Sequence, residues 1–127
     1  MSERILLVDD HPLTRSALAA LLQQQGFQVV GEAADGNEAI AKAGDLRPDL
    51  VLLDLSMPGL DGLEALTRML AVSPPPEILV HSGFDAAGMR DRVLALGAAR
   101  YLEKGGKLNE VRDAVREVIV ERRGRQA

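Results

Sequence analysis

The chain has 127 residues, 46% of them hydrophobic, with a formal net charge of −4 and no cysteine. This length and hydrophobic fraction suit one globular domain with a buried core and argue against intrinsic disorder. The acidic balance argues against direct nucleic-acid binding, and the absence of cysteine excludes disulfides and thiolate metal sites. No apolar run approaches the roughly 20 residues of a membrane span, and the N-terminus does not read as a signal peptide. We therefore expect a cytoplasmic protein with no membrane contact.

The first third of the chain alternates strand-like and helix-like patterns. Residues 5–8 form an apolar run typical of a strand buried on both faces. A helix is predicted to begin at Pro12 and to end near Gly26, because proline suits a first turn and glycine a C-terminal stop. A second strand is predicted over residues 27–30, and a second helix over 35–46 with Asp35 or Asn37 near its cap. The predicted apolar stripe of the first helix consists of Leu13, Ala17, Leu21 and Leu22.

The middle of the chain continues the alternation. Residues 49–55, DLVLLDL, predict a third strand, and the proline and glycine residues of 56–62 predict a loop. In that loop, Asp61 and Gly62 are interpreted as a turn and helix cap. A third helix is predicted over residues 63–71, followed by a fourth strand over 77–81.

The last third supplies two more helices and one strand. Residues 86–97 predict a weak helix, because Gly88 within its first turns costs roughly 1 kcal/mol relative to alanine. Residues 99–103 predict a fifth strand. Residues 108–121 predict an amphipathic final helix, with apolar positions Leu108, Val111, Val115, Val118 and Ile119 at helical period.

Polar side chains cluster where the predicted strands end. Five strands alternating with five helices predict an α/β fold with a doubly wound parallel sheet. In such sheets ligands bind at the carboxyl ends of the strands. Four of the five predicted strands end in or run into a polar group at that edge: Asp9, Asp10, Asp54, Ser82 and Lys104.

This set of side chains predicts phosphoryl chemistry. Three carboxylates at one edge repel each other unless a cation neutralises them or one stays protonated. Carboxylates with a backbone carbonyl and water are ligands that Mg²⁺ accepts. A metal ion, the Lys104 ammonium and the Ser82 hydroxyl would suit the charge and oxygens of a phosphoryl group, with a carboxylate as nucleophile.

The sequence resembles the receiver domain of bacterial two-component response regulators. The resemblance rests on LLVDDHP, DLVLLDLSMPGLDG, LVHSG and YLEK, and it covers essentially the whole chain. The stretches DDHPLTRSALAALL and VVGEAADGNEAI resemble the LuxR/NarL-type subclass. The resemblance implies five parallel strands in flavodoxin-like order 2-1-3-4-5 with five helices. It also implies a receiver domain over residues 1–122, with 123–127 as a tail or the start of a linker.

The resemblance implies a phosphoacceptor and a metal site. Asp54 would accept a phosphoryl group from a sensor histidine kinase. Asp10 would bind Mg²⁺ directly, Asp9 mainly through water, and the backbone carbonyl of Ser56 would be a further ligand beside Asp54. The domain would then be a signalling switch and not a turnover enzyme, catalysing only its own phosphotransfer and autodephosphorylation.

The resemblance also implies residues that read the phosphorylated state. Ser82 and Lys104 would contact phosphoryl oxygens, and Tyr101 would turn inward on phosphorylation. As a half-buried strand residue, Tyr101 has a plain structural interpretation as well. Ser56 and Phe84 would border the site and tune dephosphorylation.

The final Arg-rich residues and the region around Lys104 carry further expectations. Where the family often has a cis-linked proline after the lysine, this chain has Gly105, so we predict a trans peptide. In the LuxR/NarL-type subclass a linker to a helix-turn-helix output domain would follow the last helix. That domain is not in this sequence, and a homodimer is left open.

Other functions are less well supported by the residues. A haloacid-dehalogenase-type phosphatase would need a second aspartate two positions after its nucleophile, where this chain has Ser56 or His11. A flavin or nucleotide binder would need a phosphate loop in place of DDHP. An unphosphorylated interaction module would be expected to have lost Asp54 or Lys104. His11 is interpreted as a loop residue beside the site and His81 as a strand residue facing a helix, not as metal ligands.

Overall fold

The computed structural model describes residues 3–56, 61–83 and 88–126. Within these residues, five strands and five helices alternate along the chain. The strands are β1 (Arg4–Val8), β2 (Gln28–Ala33), β3 (Leu50–Leu53), β4 (Glu77–Ser82) and β5 (Arg100–Glu103). The helices are α1 (Pro12–Gln24), α2 (Gly36–Leu46), α3 (Gly62–Leu70), α4 (Met89–Leu96) and α5 (Leu108–Gln126). None of these helices is long and apolar enough to cross a membrane.

The strands form one parallel sheet in the order β2-β1-β3-β4-β5, which confirms the predicted fold. β1 pairs with β2 and β3, so Val8 lies between Ala33 and Leu53. Because all strands run in the same direction, their carboxyl ends meet at one edge of the sheet. The strand order reverses between β1 and β3, and in open parallel sheets ligands bind beside such a point.

Two apolar layers hold the helices to the sheet. One face of the sheet packs against α2, α3 and α4, with Leu66 and Val93 fully buried there. The other face packs against α1 and α5, with Leu22 and Val115 fully buried. Each such aliphatic side chain contributes roughly 1.5–3 kcal/mol when removed from water. The four-residue run LVLL of β3 is buried throughout, as expected for a strand covered on both faces.

The predicted stripe of α1 is correct at Leu22 and wrong at Leu13 and Ala17, which are exposed. Leu18 and Leu22 are the buried residues of this helix, whereas the side chain of Leu13 is 87% exposed. At 3.6 residues per turn, a residue five positions before Leu18 lies about 140° around the helix from it. Leu13 therefore faces solvent, whereas Leu22 at the other end of the predicted stripe is buried.

Several element boundaries differ from the prediction. β2 extends to Ala33, because it pairs with the whole of β1. Gly88, predicted inside a helix, instead precedes α4 with a φ of 83°, a conformation that favours glycine. The part of that predicted helix over residues 86–87 lies outside the described residues. α5 continues to Gln126, beyond the predicted end at 121.

The C-terminal turns of α5 carry ion pairs back to the sheet. Arg123 contacts Glu3, and Arg125 contacts Glu77. These contacts run from the last helix to the amino-terminal edge of the sheet, away from the carboxyl ends of the strands. The division into a receiver domain over residues 1–122 and a tail over 123–127 stays a prediction.

Two predicted local features are confirmed. Asp35 caps α2 by accepting a hydrogen bond from the Glu38 N–H at 2.8 Å. Among the described residues the single cis peptide bond joins Ser73 and Pro74, so the link from Lys104 to Gly105 is trans.

Candidate functional site

The polar residues predicted to converge are held by backbone hydrogen bonds that continue the sheet. The Asp9 N–H donates to the Ala33 carbonyl at 3.0 Å, and the Asp54 N–H donates to the Val8 carbonyl at 2.9 Å. The Lys104 N–H donates to the Ser82 carbonyl at 2.8 Å. Each residue is therefore fixed one step beyond its strand, where β-sheet geometry still controls the direction of the side chain.

A single lysine contacts two buried carboxylates. Asp9 and Asp54 are 3% and 2% exposed, respectively. The Lys104 Nζ lies 2.7 Å from Asp9 Oδ2 and 3.0 Å from Asp54 Oδ2. Pairing and hydrogen bonding are what make buried charges tolerable. The structure therefore brings together three of the residues selected from the sequence.

The two carboxylates have opposite pKa shifts. Burial tends to raise the pKa of Asp9, but hydrogen bonds from Lys104 and the His11 backbone N–H outweigh it and lower that pKa. Burial raises the pKa of Asp54, and hydrogen bonds from the Ser56 N–H and Lys104 offset only part of the rise. Burial tends to lower the pKa of Lys104, but Asp9 and Asp54 together raise it. Lys104 is thus a permanent cation, and Asp54 is the more basic of the two carboxylates.

The loop after β3 is built around a close backbone approach. Asp54 Oδ1 accepts a hydrogen bond from the Ser56 N–H at 3.0 Å. The Asp61 side chain accepts one from the Leu63 N–H at 2.8 Å and caps α3, as predicted. A Cβ on Gly62 would lie 2.7 Å from the Leu55 carbonyl oxygen, so only glycine lets α3 begin this close to the loop.

His11 lies among the carboxylates. Its Nδ1 is 3.1 Å from Asp9 Oδ1 and 2.9 Å from Asp10 Oδ1. Asp9, Asp10, His11 and Asp54 each offer one donor atom, and these atoms all lie within 4.8 Å of one another. His11 was interpreted from the sequence as a residue beside the site, and its ring instead lies in the cluster. The signal for this placement was its position directly after two aspartates at a strand end.

The donor set fits a divalent cation. Asp10 Oδ1 is buried and has no hydrogen-bond partner, although the His11 ring is near it. A buried oxygen without a partner costs roughly 1–3 kcal/mol, which a bound cation would remove. Carboxylate oxygens in a cluster of this kind are ligands for hard cations.

Arg15 is a site-supporting residue that the sequence analysis missed. Its NH1 donates to the Asp9 carbonyl at 2.6 Å, and its Nε donates to Glu32 at 3.0 Å. Arg15 therefore ties the loop after β1 to the end of β2. Arg15 lies about one turn into α1, close to the carboxyl end of β1. That position in the sequence could have indicated this role.

Ser82 and Tyr101 are both buried, on the neighbouring strands β4 and β5. Ser82 ends β4 and is fully buried. Tyr101 lies on β5 and is 3% exposed, and the Arg90 guanidinium stacks over its ring at 5.2 Å from the centroid. Arg90 was not selected from the sequence. The predicted site-bordering residue Phe84 lies outside the described residues.

His81 faces the helices, as the sequence analysis expected. It lines a small cavity with Leu18 of α1 and with Asp9 and Asp54. Burial lowers the pKa of His81 to about 4, and its Nδ1 has no hydrogen-bond partner. His81 is therefore a neutral imidazole near the site and outside the metal-donor cluster.

Comparison with known proteins decides the family. The family model for the response regulator receiver domain matches residues 5–116. The chain belongs to that family. The response regulator GacA of Pseudomonas protegens is 40% identical over 121 residues, which cover 94% of this chain and 57% of that protein. The chain thus spans about half the length of the curated relatives it matches.

Solved structures agree with this assignment. The signal receiver domain of NarL from Mycobacterium tuberculosis superimposes with a TM-score of 0.85 at 33% identity, covering 92% of this chain and 95% of that one. CheY of Borrelia burgdorferi, solved in a complex with CheX, BeF₃ and Mg²⁺, has a TM-score of 0.87 at 27% identity, covering 92% and 89%. This receiver domain has the LuxR/NarL-type relatives that its sequence indicated. Phosphorylation-dependent switching in two-component signalling is the function of its family.

Proposed function

We propose that Asp54 is the phosphoacceptor of this receiver domain and that the donor is a phosphohistidine on a sensor histidine kinase. The observation that carries the proposal is the Lys104 ammonium, which lies 3.0 Å from Asp54 and 2.7 Å from Asp9. The raised pKa of Asp54 makes its carboxylate the better nucleophile of the two, because nucleophilicity rises with basicity.

The transfer exchanges one phosphorus bond for another. An Asp54 carboxylate oxygen forms a bond to phosphorus as the nitrogen–phosphorus bond of phosphohistidine breaks. The imidazole leaves with the bonding electron pair and takes up a proton. Lys104 balances part of the negative charge on the phosphoryl oxygens, and the Ser82 hydroxyl donates a hydrogen bond to one of them. Attack by water on phosphorus later breaks the Asp54 oxygen–phosphorus bond, releases inorganic phosphate and returns Asp54 to its free carboxylate, so the domain turns over only its own phosphoryl group.

A metal site of Asp10, Asp9, Asp54 and the Ser56 backbone carbonyl is part of the proposal. Asp10 would bind Mg²⁺ directly, because its Oδ1 is buried and makes no hydrogen bond. Asp9 would act mainly through water, since both its carboxylate oxygens already accept hydrogen bonds. The bound cation would neutralise charge on the transferring phosphoryl group. The similarity to a CheY structure that holds BeF₃ and Mg²⁺ supports this choice of metal.

We also propose that residues around the same site respond to phosphorylation. Phosphorylation adds close to two negative charges at Asp54. Ser82 and Lys104 would move toward the phosphoryl group and carry β4 and β5 with them, and Tyr101 would report that movement. Ser56 and Phe84 would border the site and set the rate of dephosphorylation.

The partners proposed for this domain are a sensor histidine kinase and an output domain. In relatives such as GacA the match to this chain covers 57% of the protein, and the remainder is long enough to hold a helix-turn-helix output domain of the kind predicted from the sequence. A homodimer and a cytoplasmic location stay predictions.

The phosphoacceptor is tested by labelling with a small phosphodonor. The protein is incubated with acetyl phosphate and Mg²⁺ and examined by intact-mass spectrometry. We expect one acid-stable, base-labile phosphoryl adduct, which is lost in D54N and when EDTA removes the metal. D61N is the matched control, because Asp61 caps α3 and is not part of the cluster. An adduct that persists in D54N would overturn the assignment.

A further inference from the structure

We propose that Arg15 is a positioning residue for the Mg²⁺ site and that it acts through the main chain between Asp9 and Asp10. The proposal rests on the proposed function, because it concerns the same metal site. It adds a residue that cannot itself bind the metal, since a guanidinium only donates hydrogen bonds. The Arg15 guanidinium donates one to the Asp9 carbonyl at 2.6 Å.

The carbonyl that Arg15 holds belongs to the peptide group that joins Asp9 to Asp10. A peptide group is planar, so a contact that fixes its oxygen restricts the rotation of the whole group. On the other side of the Asp9 Cα, the Asp9 N–H donates to the Ala33 carbonyl at 3.0 Å. The main chain is therefore held on both sides of Asp9. The direction in which the Asp10 side chain leaves the main chain depends on the Arg15 contact.

Glu32 holds the guanidinium in the orientation that this contact needs. Its Oε1 accepts a hydrogen bond from Arg15 Nε at 3.0 Å. Glu32 lies on β2 directly before Ala33, so both contacts to Asp9 originate from the end of the same strand. The Arg15 side chain is 19% exposed, and its planar fork loses little freedom on making two contacts. We infer that Glu32 acts on the metal site only through Arg15.

The charge of Arg15 opposes its positioning effect. A cation close to a metal site repels the metal, so charge alone predicts that removal of Arg15 strengthens Mg²⁺ binding. Loss of a group that holds metal ligands in place predicts the opposite change, typically a 10–100-fold weaker affinity. The sign of the change in Mg²⁺ affinity therefore separates positioning from electrostatics.

The Mg²⁺ affinity is measured by isothermal titration at low ionic strength, where the opposing effect of charge is largest. We expect the dissociation constant to rise about tenfold in R15A. It should rise less in R15K, because lysine can still donate a hydrogen bond to the Asp9 carbonyl. R68A is the matched control, since Arg68 pairs with Glu64 at 2.7 Å on α3. A dissociation constant in R15A equal to or below that of R68A would overturn the proposal.

Urea unfolding of the metal-free variants separates positioning from a general loss of stability. A merely structural contact would lower the free energy of unfolding and leave the Mg²⁺ affinity of the folded protein unchanged. If R15A does not fold, R15K and E32A carry the test, because each retains part of the contact network. Unchanged Mg²⁺ affinity in both of these variants would count against the proposal.

A double-mutant cycle tests whether Glu32 acts through Arg15. The titrations for this cycle contain 1 M KCl, where the screening length of about 3 Å removes most of the effect of the lost charges. We expect E32A to weaken Mg²⁺ binding and R15A/E32A to bind as weakly as R15A alone. Effects of the two substitutions that add would contradict the route from Glu32 through Arg15.

Labelling with acetyl phosphate separates this inference from the proposed function. If Asp54 is labelled and the Mg²⁺ affinity does not depend on Arg15, only the role of Arg15 is wrong. If R15A weakens Mg²⁺ binding but the unmodified protein is not labelled at Asp54, the phosphoacceptor assignment is wrong and the role of Arg15 stands. If the unmodified protein does not bind Mg²⁺, both proposals fail.

Discussion

Lys104 holds two buried carboxylates together, with its Nζ 2.7 Å from Asp9 and 3.0 Å from Asp54. In the metal-free protein the ammonium group therefore neutralises part of the negative charge that a divalent cation would neutralise at the same edge. Removal of one partner from a buried charged cluster leaves the others without compensation, which is the costly outcome for buried ions. Lys104 therefore contributes to the stability of this edge through both buried carboxylates.

We expect K104M to destabilise the metal-free protein by about 2–3 kcal/mol at neutral pH, because Asp9 and Asp54 would lose their shared cation. Urea unfolding monitored by circular dichroism measures this change. K107M is the matched control, since Lys107 is exposed in the same loop. Saturating Mg²⁺ should stabilise K104M more than the unmodified protein. An equal loss in K104M and K107M would contradict the compensating role.

His81 contributes a pH-dependent term to stability. Its pKa is lowered by burial from 6.5 to about 4, so the folded state holds the neutral ring. Because the folded pKa lies below the unfolded one, this stability is fully present above about pH 6.5 and is lost as pH falls toward 4. The full loss is about 3 kcal/mol at 1.36 kcal/mol per pKa unit.

We expect H81V to flatten the dependence of unfolding free energy on pH between about 6.5 and 4, because valine has no proton to gain. Urea titrations of both proteins at several pH values provide the comparison. The carboxylates titrate in both proteins, so the difference between the two curves isolates His81. Parallel curves across this interval would show that His81 is not the titrating group.

At the scale of the elements, the loop between β3 and α3 depends on one glycine. A Cβ on Gly62 would lie 2.7 Å from both the Cα and the carbonyl oxygen of Leu55. Backbone atoms cannot rotate away as a side chain can, so the start of α3 would have to shift. This loop carries Ser56, whose N–H binds Asp54, and a shift would reach the phosphoacceptor.

We expect G62A to destabilise the protein by about 1–3 kcal/mol and to slow labelling of Asp54 by acetyl phosphate. Gly44 offers a matched control, because it is exposed in α2 and a Cβ there would meet nothing within 4 Å. G44A should instead stabilise the protein by about 0.5–1 kcal/mol, since alanine is the better helix former. Thermal unfolding and the labelling rate together test the pair, and a G62A protein as stable as G44A would contradict the close approach.

At the scale of the whole molecule, the contact between Arg90 and Tyr101 links α4 to β5. The guanidinium lies 5.2 Å from the centroid of a ring that is 3% exposed. Such a cation–π contact is worth roughly 0.5–2 kcal/mol. Tyr101 is the only tyrosine, and the chain has no tryptophan, so its fluorescence reports this one position.

We expect R90A to increase acrylamide quenching of Tyr101 fluorescence, because the ring loses the group that covers it. R92A, a change at another exposed arginine of α4, should leave quenching near its original level. If Tyr101 is a switch residue, BeF₃⁻ with Mg²⁺ should alter quenching in the unmodified protein. Identical quenching of R90A and R92A would show that Arg90 does not shield the ring.

Much of this fold follows from local patterns in the sequence. Apolar runs such as residues 5–8 mark strands covered on both faces, and the alternation of strands and helices requires a parallel sheet. Parallel strands bring their carboxyl ends to one edge of the sheet. The sequence alone therefore predicted that Asp9, Asp54 and Lys104 lie close together. The convergence of the site was thus predictable from topology.

Local sequence patterns did not predict how a helix is rotated against the sheet or which residues distant in the sequence contact each other. The exposure of Leu13 depends on how α1 is rotated against the sheet, which a stripe of leucines and alanines does not specify. The last turns of α5 make ion pairs to Glu3 and Glu77, residues far away in the sequence, and the pattern of the helix itself does not show these contacts.

The sequence by itself determined the fold class, the family and the acidic edge of the sheet, because these depend on periodicity and on the order of elements along the chain. Only the tertiary structure decided that the His11 ring lies among the carboxylates and that Arg90 covers Tyr101. The physical reason is that a contact between side chains depends on distances of a few ångströms. Those distances are set by packing between elements and not by any single segment.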